Sequence, residues 1–183
     1  MTRQLDFSRF LATPELPELG PGPRKGVQTQ AQLDAALDIS LQQSQTSVER
    51  LQLIRALVLL WHDHLASAHE LAQTIDSQDG AFVHGIMHRR EPDYSNAAYW
   101  FRRVGPHPVF SEIAKRAKEL PGSKSNANLY HQLVKESAWD PFGFIDACKD
   151  AATNPAADAD QRYLREVQRI ETESLLDWLG QQR

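Results

Sequence analysis

Five of the seven histidines, His62, His64, His69, His84 and His88, fall within twenty-seven residues, and no other side chains in this sequence have as much chemical scope. His84 and His88 are four apart, so on a helix they stand on the same side of one turn, a spacing that can hold one metal ion between two imidazoles. His62 or His69 could add a third nitrogen and Glu70 or Glu91 a carboxylate. That set is the histidine-plus-carboxylate kind that binds divalent zinc or iron. The same spacing also suits histidines that merely hydrogen-bond between packed helices, and His84-x-x-x-His88 lacks the internal Glu of a zinc protease.

Arg89, Arg90, Arg102 and Arg103 form a second constellation, with Tyr99 on the face of the last two. Guanidinium groups take carboxylate or phosphate through paired hydrogen bonds, so a small anionic ligand or an acidic protein partner is one expectation. Internal pairing with Glu70, Glu91 and Asp93 is the other. Two functional readings follow. In the first, the polar face of 84–103 binds a protein or a small anion; in the second, a metal-dependent enzyme uses His84 and His88 with a ligand from 62–70, and Arg89 or Arg90 stabilises an oxyanion.

The elements that must position these groups are helical by pattern. Leu33, Leu37 and Leu41 mark one helix; Thr46 or Ser47 caps the next, whose residues 51–61 are apolar almost all round and belong at the centre of the core. Asp63 is the expected cap for a helix bearing Leu65, Ala68, Ala72 and Ile75. The turn DSQDGA at 76–81 precedes a helix with Phe82, Val83, Ile86 and Met87 on its apolar side and the His84/His88 pair roughly opposite. Pro92 and Asp93 end that helix and start another with Ala97, Trp100, Phe101 and Val104 inward. Further helices are expected over 109–120, through LYHQLVKESA and PFGFIDACKDAAT, and to Gly180, the last presenting Arg162, Arg165, Arg169, Glu166, Glu171 and Glu173 to solvent. No stretch alternates as a strand does.

The 183 residues suit one domain, with residues 1–27 an extended Pro/Gly-rich arm and 28–183 an all-helical domain. Four of the ten prolines lie between Pro14 and Pro23, which excludes a helix there; Phe7, Phe10 and Leu11 suggest that the start of the arm docks. A formal charge of −4 argues against a general nucleic-acid binder. The single cysteine, Cys148, excludes a disulfide framework and reads as a buried thiol. The longest apolar run, Ala56–Trp61, is too short to span a membrane, and MTRQLDFSRFLATPELP has no signal-peptide pattern, so a cytoplasmic location is expected.

Aligning His62 onward with Pro92 onward, at an offset of thirty, puts Asp63 on Asp93, Ala68 on Ala98 and His69 on Tyr99. The unit PDYSNAAYW resembles a tetratricopeptide-type helical hairpin, though the period is shorter than that family's and there is no third copy. The run HGIMHRREPDYSNAAYWFRRVGPHPVF also resembles the signature of a group of uncharacterised, mostly bacterial proteins. That resemblance implies a domain with this segment at its centre, and no activity. The fold expected is all-α: a single domain of packed helical hairpins, tetratricopeptide-like in the middle, with no sheet.

Overall fold

The structure, a computed structural model, describes residues 5–42, 44–121, 127–153 and 158–181. In chain order these carry α1 (Ser8–Leu11), α2 (Gln30–Leu41), α3 (Val48–Trp61), α4 (Leu65–Ala72), α5 (Gln78–Arg90), α6 (Tyr94–Val104), α7 (Val109–Glu119), α8 (Ala127–Leu133), β1 (Val134–Lys135), β2 (Ala138–Trp139), α9 (Pro141–Thr153) and α10 (Asp158–Leu179). The expected helical class is observed, and no helix among the described residues is long and apolar enough to cross a membrane.

Helix starts follow local chemistry. Thr29 and Gln32 exchange side-chain and backbone bonds in a capping box at α2, Ser47 accepts from Arg50 N at α3, and Asp93 accepts from Asn96 N at α6. Asp63 departs from expectation. It sits at φ 65°, the left-handed region that Asp tolerates, and its carboxylate serves Arg24 and Arg90, so His64 occupies the cap position of α4 without a side-chain capping bond.

A second correction is the small sheet. Val134 pairs with Trp139 and Lys135 with Ala138 in an antiparallel ladder, where the sequence suggested a helix and no sheet. Glu136 and Ser137, at φ 50° and 66°, make the two-residue turn whose positive φ values match the twist of a hairpin.

α3 is the buried centre, as its composition implies, with α2, α4, α5 and α10 against it. α5 is covered on every side from Gly80 to Arg90, and its face opposite the apolar stripe, which carries His84 and His88, lies beneath α4 and α6. Gly85 permits this closeness: a Cβ there would stand 2.6 Å from a Phe101 ring carbon. α10 is also less solvated than its charges suggest. Arg169 does make helical ion pairs with Glu166 and Glu173, yet Glu171 is fully buried.

The N-terminal arm is packed down. Phe7 and Phe10 are core residues, Arg165 donates to the carbonyls of Leu16 and Pro17, Gln168 donates to that of Glu18, and Arg24 reaches Asp63.

Candidate functional site

Three of the four candidate histidines converge. α5 carries His84 and His88 one turn apart, and α4 lays His69 across them, with ring centres 5.5 Å from His84 and 5.6 Å from His88; His84 and His88 are 6.1 Å apart. His84 Nδ1 lies 3.2 Å from the Gly80 carbonyl, so Nδ1 carries the proton and Nε2 the lone pair. Trp100 of α6 stacks on that ring at 4.1 Å. His88 Nδ1 faces Glu91 Oε2 at 3.2 Å, and the Asn96 amide nitrogen is 3.2 Å from its Nε2. His62 is elsewhere: its Nε2 meets the Phe10 carbonyl at 2.8 Å and its Nδ1 accepts from Gln28 N, so it clasps the arm. Glu70 is exposed and takes no part. As placed, the ring nitrogens of the cluster do not point at one spot, and among the described residues no group of three His, Cys, Asp or Glu is arranged around a metal ion.

Burial, followed by the neighbouring His69, His88 and Arg103, pushes the His84 pKa down to about 4. Burial lowers His62 and His88 as well. These imidazoles are therefore neutral at pH 7. In the unfolded chain His84 titrates near 6.5, so below that pH the unfolded state binds a proton that the folded state refuses. Stability is fully present above pH 6.5 and falls as the pH drops toward 4, by about 3 kcal/mol for His84 alone. Urea melts in chelator at pH 7.5 and 5 should show the loss, with a smaller one in His84→Gln; an unchanged midpoint in the wild type would contradict the buried neutral ring.

The four arginines divide. Arg89, fully buried, makes a two-point pair with Glu171, Nη1 to Oε1 at 2.9 Å, and its carbon Cζ sits 4.3 Å from the Phe144 ring centre. Burial acts to lower its pKa, but the Glu171 carboxylate outweighs this and holds it above the ordinary guanidinium value. Arg90 binds Asp63 Oδ1 at 2.7 Å and the carbonyls of Gly20 and Leu60. Neither faces a ligand. Their partners are Asp63 and Glu171, not the Glu70, Glu91 and Asp93 close in sequence. Arg103 lies over the Trp100 ring and pairs with the exposed Asp76. Tyr99 is 48% exposed, and Arg102 is exposed with no hydrogen-bond or ion-pair partner among the described residues.

Arg102 stands at a cleft of about 470 Å³ between the end of α6, the start of α7, the β1–β2 hairpin and the start of α9. Phe101, Phe110, Trp139, Pro141 and Phe142 make its walls largely apolar, and Lys135, paired with Asp140, adds a second cation. The Trp139 indole nitrogen is buried without a hydrogen-bond partner among the described residues. Sequence reading missed this cleft because its walls come from four elements; the partly exposed Phe142 right after Pro141 was the available signal. A larger cavity of about 550 Å³ under α1 is lined by Asp6, Glu112, Glu173 and Asp177, with Arg116 already held by Glu173, so it does not suit an anion. Cys148 is buried, its thiol pushed up to about 12 by burial, and is unreactive as a nucleophile.

No protein-family model, no curated protein and no solved structure matches this chain. Its fold and sites define a mostly helical protein with a small apolar cleft and a buried histidine cluster.

Proposed function

We propose that the protein binds a small amphipathic anion, a carboxylate on an apolar body, in the cleft beside Arg102. The observation that carries this is the unpartnered Arg102 guanidinium at the rim of an apolar-walled cavity. Of the four arginines in 84–103 it alone lacks a partner among the described residues. A fork of N–H donors is suited to grip a carboxylate, while the aromatic walls take an aliphatic chain or ring. The volume of about 470 Å³ falls in the range of small-ligand sites and admits a body of medium-chain or single-ring size. The anion-binding expectation for 84–103 thereby narrows to its last turn.

Octanoate and benzoate at millimolar concentration should raise the melting temperature, whereas octanol and benzyl alcohol should do so far less. Arg102→Gln, at an exposed position, should leave unliganded stability within about 0.5 kcal/mol and weaken octanoate roughly tenfold or more. Equal stabilisation by octanol, or wild-type octanoate affinity in Arg102→Gln, would remove the proposal.

A further inference from the structure

The histidine cluster lies apart from the cleft and joins two helices. We infer that the contact of His69 with His84 and His88 is an acid-sensitive latch: when these imidazoles take protons, α4 lifts from α5 while the other helices stay folded.

The rings come from two helices and stand 5.5, 5.6 and 6.1 Å apart between centres. Neutral imidazoles pack at that range, whereas cations repel one another there in a half-buried place. Little around them compensates. α4 brings only His69 and the exposed Glu70; α6 brings Arg103, itself a cation, and Asp93 at its cap; the end of α5 brings Glu91. Glu91 and Asp93 act on His88, while His84 feels His69, His88 and Arg103. α3 is apolar over Ala56–Trp61. Elsewhere on α5, Asp79 pairs with His107, Arg89 with Glu171 and Arg90 with Asp63, so those acids are already engaged.

α4 is the element that yields. It has eight residues and no side-chain cap, and two of its three buried residues, Ala68 and Ala72 beside Leu65, are alanines. α6 is held better, with Asp93 capping it, Trp100 stacked on His84 and Phe101 pressed onto Gly85. Separation of α4 gives His84 and His88 access to water and bares the apolar faces on which α3 and α4 meet. Burial, followed by His69, His88 and Arg103, holds the His84 pKa down to about 4, against 6.5 in the open state. Opening is therefore favoured as the pH falls below 6.5, by about thirtyfold at pH 5 relative to pH 7.5 for His84 alone.

Hydrogen exchange on the full chain, corrected for the intrinsic pH dependence of amide exchange, tests this. Protection of the α4 amides should fall about thirtyfold from pH 7.5 to 5 and lie below that of α10 at both. Glu-C protease should cut after Glu70 at pH 5 well before it cuts within α10. His84→Gln/His88→Gln should make α4 protection nearly equal at the two pH values, and a response that persists in it would overturn the inference. So would wild-type α4 protection that does not change with pH, or that falls only in step with α10 as one global event. Those two wild-type outcomes decide the matter even where the double variant does not fold. The octanoate result at Arg102 does not bear on it.

Discussion

Glu171→Ala should cost about 3–5 kcal/mol of stability, among the largest losses available to a single substitution in this chain. Glu171 and Arg89 are both fully excluded from solvent, and each guanidinium Nη atom donates to one carboxylate oxygen. Arg89 Nε already lacks a hydrogen-bond partner among the described residues. Removing the carboxylate leaves the whole cation unpaired beneath α10, and the Phe144 face at 4.3 Å returns only about 1–2 kcal/mol. Arg89 cannot shed its charge instead, because a guanidinium stays protonated at any working pH. In urea the midpoint should fall with little change in slope. The double change Arg89→Met/Glu171→Leu should recover most of the loss, since replacing both partners by apolar groups of similar size removes the desolvation cost along with the pairing. A loss below about 1 kcal/mol in Glu171→Ala would mean that Arg89 reaches water.

This pair also marks where sequence reading stops. The caps at Ser47, offered beside Thr46, and at Asp93, the buried stripe of α3 and the small residues of α6 were legible, because each rests on contacts within a few residues: a cap bond spans two or three positions and an apolar face repeats every three or four. Arg89 finds Glu171 at a separation of 82 residues; the helical stripe of Leu164, Val167 and Leu175 places Glu171 on the inner face, apart from the half-buried Glu166 and Glu173, but nothing local names its partner. The histidines show the same boundary. The i,i+4 pair His84/His88 was readable, but whether His69 or His62 joined it depended on how α4 lies over α5. The hairpin β1–β2 failed to show because its strands are two residues long, too short for alternation to appear.

α5 is the helix on which these contacts meet. Its apolar side forms core with α3, and its polar side is buried too, with each group answered: His84 by Gly80 and Trp100, His88 by Glu91 and Asn96, Arg89 by Glu171, Arg90 by Asp63. A helix with this many charged and aromatic residues stays buried only because partners arrive from α4, α6, α10 and the arm. The clustered residues of 84–103 that face inward are thus engaged in packing and pairing, and the proposed anion site draws only on the exposed end of α6 at Arg102.

The other large effect is expected at Asp63. Its carboxylate accepts from Arg90 Nη2 at 2.7 Å and from Arg24 at both backbone N, 2.8 Å, and Nε, 3.0 Å. Burial acts to raise its pKa, but the bonds from Arg90 and Arg24 win and hold it below the usual carboxylate value, so it is ionised at neutral pH. Asp63→Asn keeps the side-chain shape and tolerates the left-handed φ of 65°. It removes the one negative charge between two buried guanidiniums, a loss expected to reach about 3 kcal/mol or more. The arm should suffer first. Its other polar ties are hydrogen bonds spread along it, between His62 and Phe10, Trp61 and Thr13, Arg165 and both Leu16 and Pro17, Gln168 and both Pro17 and Glu18, and Arg90 and Gly20, worth about 1 kcal/mol each and somewhat more where an arginine is the donor. Trypsin should therefore cut after Arg24 or Lys25 in Asp63→Asn under conditions that leave the wild-type arm intact, with the helical circular dichroism of the remainder preserved. A protected arm and an unchanged urea midpoint would show that Asp63 is not the clasp that holds residues 12–27 to the helices.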